Sequence, residues 1–310
     1  MFPRTAYGER GRRMRQKNRI QQSFGEWTFD VINTIIMLFI AFMTLYPFVY
    51  VLFFSVSDPS LMFGRRGFIF WPRGFQLESY RMVFMNPMIA QGYINTLFYL
   101  AAGLAVNMLL TILTAYALSR KNLMFKRFFI LIILFTMFFS GGLIPRFLQV
   151  RSLGLLDTRF ALIFPGAMSA YNMIIMRTGF ESLPASLEES AKLDGASHWQ
   201  ICFRIVLPLS LPVIAVISLY YGVAHWNAWY DAMLFLKQRN LYPLQLILRE
   251  ILIYNQTDTM MSGGELGIVA ALGEAIKHAT IIVATLPILC VYPFLQRYFV
   301  KGVMIGAIKE

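Results

Sequence analysis

Residues 183 to 212 read LPASLEESAKLDGASHWQICFRIVLPLSLP, a polar stretch set between two long apolar runs. Ser186-Leu187-Glu188-Glu189 has the spacing of a capping box, in which the Ser186 hydroxyl accepts the Glu189 amide proton and the Glu189 side chain reaches back to the Ser186 amide. A helix is therefore expected to start at Ser186. It is expected to stop at Asp194-Gly195, because glycine tolerates the left-handed backbone that ends a helix. Ser197-His198-Trp199-Gln200 repeats the box, and Trp199, Cys202, Phe203 and Val206 then fall at i, i+3, i+4 and i+7, which predicts one apolar helical face. Pro208 and Pro212 mark its end or a kink. The stretch predicts two short helices joined by a glycine elbow, the second amphipathic, in a form suited to docking.

The chain around this stretch is 57% hydrophobic, 15% aromatic and only 14% charged over 310 residues. A soluble domain carries about 25% charge, so the composition is that of a membrane chain. The net charge of +12 is explained by basic flanks that set topology, with no need for a nucleic-acid partner. Cys202 and Cys290 are too few and too far apart for a disulfide framework or a metal site, and read as small buried hydrophobes.

Arg4, Arg10, Arg12, Arg13, Arg15, Lys17 and Arg19 face only Glu9 and Glu26 in the first 27 residues, which predicts a basic cytoplasmic segment over residues 1–28. Val31 to Val56 is uncharged for longer than a signal peptide's apolar region and reads as an uncleaved first span. Further spans are expected at Ile89–Leu118, Phe128–Pro145, Phe160–Met176, Leu209–Phe235 and Ala279–Leu295. Breaks are anticipated at Ser140-Gly141-Gly142 and Pro165, and kinks at Pro287 and Pro293. Arg120, Lys121, Lys126 and Arg127 crowd one short turn, placing it inside. Six spans then put both chain ends and the 181–208 loop inside. The 237–277 connection, with Leu244, Ile247, Leu248 and Ile251 at helical spacing and a polar tip at Thr257–Gly264, falls outside.

Glu189-Ser190-Ala191, three residues, Gly195, nine residues, then Ile205-Val206-Leu207-Pro208 resembles the EAA signature of ABC-importer permeases. Ser190 stands where that pattern usually has alanine. Asp194-Gly195-Ala196, the Leu-Pro ending and the 299–309 tail resemble the carbohydrate-uptake branch typified by the maltose importer. His225-Trp226-Asn227-Ala228-Trp229 resembles its oligosaccharide and polysaccharide-fragment subgroup. The resemblance implies an all-α membrane protein of six transmembrane helices with type I ABC importer permease architecture, a permease domain over 29–300 and a cytoplasmic tail over 301–310. It implies that Glu189, Ala191, Asp194, Gly195, Ala196, Ile205, Leu207 and Pro208 couple the chain to an ATP-binding subunit. The implied partners are a second permease subunit, two ATP-binding subunits that carry ATP and Mg, an extracytoplasmic solute-binding protein and a carbohydrate substrate. This chain needs no cofactor of its own.

His225, Trp226, Trp229, Tyr230 and Asp231 cluster near the end of the fifth expected span. They suit an interfacial aromatic belt, or a sugar site in which rings stack on pyranoses while Asp231, Asn227 or His225 bonds hydroxyls. Asn107, Asn172 and Ser218 lie nearer mid-span and either line the pathway or bond between helices. No phosphate-binding loop, HExxH or GxSxG occurs, so catalysis is not expected in this chain. An ion-coupled carrier working alone is the alternative, but it ordinarily places ionisable groups deep in its spans, and these spans are almost bare of them. A membrane-embedded glycan enzyme would need paired carboxylates, and the outer connections hold only scattered ones such as Glu78, Glu250, Asp258 and Glu265.

Overall fold

The computed structural model describes residues 23–62, 67–261 and 267–307. It is 78% helical, with no strand among the described residues. The chain divides into two compact units at Tyr50–Val51. The first contains most of α1 (Phe24–Ser55), whose 32 residues include Pro47 and whose most apolar 18-residue window has a mean hydropathy of 2.4. At about 1.5 Å per residue this helix exceeds the roughly 30 Å hydrocarbon layer.

The second unit follows with α2 (Pro59–Met62), α3 (Glu78–Met85) and α4 (Pro87–Ser119). Asn86 starts α4 by accepting the Met88 amide proton at 3.0 Å, and Pro87 sits in the first turn, where no amide donor is needed. Asn95, Tyr99, Gly103, Asn107, Thr111 and Ala115, spaced by four, form its buried stripe. Small and hydrogen-bonding residues on such a stripe let neighbouring helices approach closely in lipid, where burying more leucine adds little. Against α4 pack α7 (Ala170–Glu181), α11 (Leu211–Trp226) and α13 (Leu244–Met261). The last helix, α14 (Gly267–Ala307), packs on α3, α11 and α13 and runs through Pro287 and Pro293.

The expected spans are realised unevenly. Helix α5 (Lys126–Phe138) has only 13 residues and turns by 114° into α6 (Leu143–Ser152). The cause is Gly142 at φ +85, preceded by extended backbone at Phe139, where the diglycine was expected to open the helix. The fourth expected span, Phe160–Met176, is not one helix. Residues 159–162 form a 3₁₀ turn, residues 163–169 are non-helical, and α7 begins only at Ala170. Pro165 removes a ladder donor, and side chains of other helices satisfy the freed backbone: Asn107 Nδ2 donates to the Gly166 carbonyl at 2.7 Å, and the Ser169 amide donates to Tyr221 Oη at 2.9 Å. The fifth expected span ends as α11 at Trp226 and resumes as α12 (Tyr230–Phe235). Among the described residues three helices are thus long and apolar enough to cross a membrane, or up to five if each bent pair counts as one span. Of the 257–264 tip, Thr257–Met261 continue α13 instead of forming a loop. Residues 262–264, the 1–22 part of the basic segment and 308–310 of the tail lie outside the described residues.

Candidate functional site

The stretch quoted at the outset folds as a foot. Helix α8 (Ala185–Leu193) begins one residue earlier than expected, with Pro184 at its N-cap and no side-chain cap. The Ser186–Glu189 box is therefore not formed. Pro184 supplies an extended entry and lacks the donor that an N-cap would otherwise expose, so the serine is carried into the first turn. At the other end Gly195 adopts φ +76. The Gly195 amide donates to the Lys192 carbonyl at 3.0 Å and the Ala196 amide to the Ala191 carbonyl at 2.9 Å, the two bonds of a Schellman motif. Ala191 is buried and Ala196 packs on the same core, so the contact between these two small side chains closes the turn.

The Ser197 box does form: Ser197 Oγ accepts the Gln200 amide at 3.4 Å and Gln200 Oε1 accepts the Ser197 amide at 2.7 Å. It opens α9 (His198–Gln200), which passes into a π-helical segment, Ile201–Val206, and then α10 (Leu207–Leu209). Pro208 has no amide hydrogen to return to residue 204, and the Leu207 amide instead reaches the Cys202 carbonyl, five residues back. The wider turn changes the face that the sequence predicts. Ile201, Cys202 and Val206 are buried, Ile205 and Leu207 pack beside them, while Trp199 and Phe203 stack on each other at 5.9 Å and stay exposed. At Ser210 the chain bends by 85° into α11.

Glu188, one position before the motif glutamate, is engaged. It pairs with Arg120 of the α4–α5 turn and with Lys192 at 2.8 Å, and Arg120 also lies 4.7 Å above the Tyr116 ring. Burial pushes the Glu188 carboxyl up, but Lys192 and Arg120 outweigh it and hold it below the usual glutamate range. Lys126, Arg177 and Glu181 form a second knot between α5 and α7 at 2.8 and 3.0 Å. By contrast Glu189 and Asp194 are exposed and make no ion pair among the described residues. Tyr116, Arg120, Glu188, Glu189, His198 and Trp199 line part of a groove of about 810 Å³ between the α4–α5 turn and the foot. The Glu188–Lys192 spacing was legible in the sequence. Arg120 was not, being 68 positions away.

The second candidate set separates in space. His225 Nε2 lies 2.6 Å from Asn107 Oδ1, its ring resting where a side chain on Gly103 would sit. Thr111 Oγ1 lies 2.8 Å from Tyr221 Oη, so α4 and α11 together hold the unwound 166–169 backbone. Trp226 is buried against Tyr93 and is not on an exposed belt. Asn172 is buried at the start of α7, and Ser218 Oγ reaches Met108 Sδ at 3.4 Å. Asn227 is exposed and donates to its own helix at the Val223 carbonyl. Asp231 accepts two bonds from Arg146, at 3.0 and 2.7 Å, and Trp229 is covered by Arg249 at 4.1 Å. The base of the 237–277 connection is clamped. Asn95 Nδ2 donates to the Asn240 and Tyr242 carbonyls at 2.7 and 3.0 Å, and Tyr99 Oη donates to the Leu241 carbonyl at 2.8 Å. Asp157 Oδ1 accepts the Lys237 and Gln238 amides at 2.8 and 2.9 Å, and these bonds hold its carboxyl below the usual aspartate range.

The chain as a whole is similar to known proteins. A model of the family described as binding-protein-dependent transport system inner membrane component matches residues 14–305. The polygalacturonan/rhamnogalacturonan transport system permease protein YtcP of Bacillus subtilis (strain 168) is 41% identical over 288 residues, covering 91% of this chain and 98% of that one. Protein LplC of the same organism is 40% identical over 281 residues, covering 91% and 95%. A chain in the crystal structure of a bacterial ABC transporter involved in the import of the acidic polysaccharide alginate superposes with a TM-score of 0.82. It is 33% identical, with 90% of this chain and 99% of that chain covered.

Proposed function

We infer the function from membership: this chain belongs to the family of binding-protein-dependent transport system inner membrane components, and it is a non-catalytic permease subunit of an ABC importer. Its cargo is a carbohydrate, in keeping with the polysaccharide transport systems of its relatives. The membrane subunit forms half of the pathway beside a second permease. Two ATP-binding subunits, with ATP and Mg, lie on the side of the foot, and a solute-binding protein delivers sugar at the other end, where the 237–277 connection meets it. Both chain ends and the foot lie in the cytoplasm.

The observation that supports coupling through the foot is the contrast between its two glutamates. Glu188 is spent on holding the foot to Arg120, while Glu189, Asp194, Leu193 (89% exposed) and the Trp199–Phe203 stack are left unpaired or uncovered beside a rigid Schellman elbow. An exposed aromatic pair rimmed by free carboxylates is how a docking surface is composed. Because α8 and the π segment pack into the same core as α4, α7 and α11, movement of a docked ATP-binding subunit is passed to these helices as rigid bodies. Gly195, Ala191 and Ala196 shape the elbow, Ile205 and Leu207 seat it, and Pro208 ends it. Along the pathway, Asn172, Ser218, His225, Trp226, Asn227, Trp229 and Asp231 remain the proposed set, with His225, Trp226 and Asp231 acting by positioning their neighbours. Cysteines placed at Leu193 or Trp199 are expected to cross-link to the ATP-binding subunit in the assembled importer. Glu189→Lys is expected to assemble but to consume ATP without transport, and an assembled variant transporting at the wild-type rate would remove Glu189 from coupling.

A further inference from the structure

We propose that the end of the molecule carrying α12 recognises an acidic saccharide, with Arg159 and Arg249 as the groups that bind its carboxylates. This rests on the reading of the chain as a carbohydrate importer's membrane subunit. Three arginines lie against aromatic rings around one apolar cluster built by α4, α6, the 159–162 turn, α12 and α13. Arg146 sits 5.5 Å from the Phe235 ring centre, Arg159 4.7 Å from that of Phe98, and Arg249 4.1 Å from that of Trp229.

They differ in what neutralises them. Arg146 is satisfied by both oxygens of Asp231. Arg159 reaches only the neutral Asn95 Oδ1 at 3.5 Å, and Arg249 only Met233 Sδ at 2.7 Å; neither forms an ion pair among the described residues. Among the described residues no carboxylate nearby is left over. Residues 143–169 and 227–253 contain three, and all are engaged: Asp157 by the Lys237 and Gln238 amides, Asp231 by Arg146, and Glu250 by Arg239 at 2.8 Å. Arg159 and Arg249 are thus half-buried, fixed in plane by a ring and without a counter-ion among the described residues. An anion compensates a half-buried cation more strongly than a ring or a neutral acceptor does, and the fork of a stacked guanidinium matches a carboxylate in two-point geometry. A neutral sugar can accept hydrogen bonds from either guanidinium but supplies no counter-charge. One face of Trp229 is moreover already taken by Arg249, so what this ring presents is an oriented cation in place of a bare stacking platform. Both side chains are drawn back onto rings, whereas cations serving a lipid phosphate extend toward the bilayer surface.

The test uses the importer assembled with all its partners in lipid nanodiscs. The probes are pentagalacturonate, its fully methyl-esterified form and a neutral pentasaccharide, with binding protein held constant, and the readout is stimulation of ATP hydrolysis. Arg159→Gln and Arg249→Gln are each expected to raise the concentration of loaded binding protein needed for half-stimulation by about tenfold for the acid, the scale of one hydrogen bond to a charged group. Neither is expected to change the response to the ester. Arg159→Lys and Arg249→Lys, which keep the charge and lose the fork, should recover part of the loss. An equal effect on acid and ester, or none on either, overturns the proposal, as does an effect that appears only when anionic lipid is exchanged for neutral lipid. Stimulation by the neutral pentasaccharide alone overturns it while leaving the importer reading intact. Stimulation by no saccharide removes the importer reading and the proposal with it.

Discussion

Gly195 and Gly103 are needed for different reasons, and substitution separates them. Gly195 has open space around it, so its constraint is the backbone: φ +76 is cheap only without a Cβ. Gly195→Ala is expected to cost about 1 kcal/mol and leave transport per ATP nearly intact. Gly195→Pro forces φ near −65° and deletes the donor to the Lys192 carbonyl, and is expected to break the elbow and uncouple hydrolysis from uptake. Gly103 lies in an ordinary helix, but an added Cβ would meet the His225 ring at 2.4 Å. Gly103→Ala should therefore push His225 off Asn107 and destabilise the chain by about 1–3 kcal/mol. In thermal unfolding of the purified complex the penalty should shrink in a His225→Ala background. Additive losses would mean that the ring is not what Gly103 accommodates.

Between elements, the decisive link is the ion pair that ties α8 to the α4–α5 turn. Arg120 and Glu188 are both mostly buried at their side chains, 15% and 22% exposed, so breaking one partner leaves the other charge in a poor medium. Arg120→Glu or Glu188→Arg alone is expected to lower transport per ATP several-fold, and the double exchange should restore much of it. No recovery in the double variant would show that the two charges act separately. Glu188 is held below the ordinary glutamate value. Its stabilising contribution is therefore fully present above about pH 4.3 and is lost as pH falls through the lowered folded value. Proteolysis within residues 181–208 of the purified complex is expected to rise over that acid range in the wild type and to rise less in Glu188→Gln. At the opposite end Asp157→Ala should free the Lys237 and Gln238 amides, seen as faster hydrogen exchange there while the foot is unchanged.

Over the whole molecule the proposed topology puts the two candidate regions at opposite faces of a membrane. In intact cells of a variant lacking Cys202 and Cys290, a cysteine at Lys237 should react with an impermeant maleimide, and one at Trp199 only after permeabilisation. Labelling of both from outside would overturn the six-crossing topology. Much of the fold was legible in the sequence, because hydrophobic runs, turn glycines and capping serines act within a few residues of themselves. The apolar runs of α1, α4 and α14, the diglycine break before α6, the Gly195 elbow and the Ser197 box are of this kind. The tertiary structure alone decided the rest. It left residues 163–169 unwound because Asn107 and Tyr221, on two other helices, satisfy their backbone in place of a helical ladder. It turned Trp199 and Phe203 outward because a π segment ending at Val206, two residues before Pro208, shifts the buried face to Ile201, Cys202 and Val206. It gave Glu188 the partner Arg120, and left Arg159 and Arg249 without a carboxylate partner among the described residues. A buried polar or charged group must find a complement wherever packing brings one, and the periodicity that builds a helix carries no record of which distant residue that is.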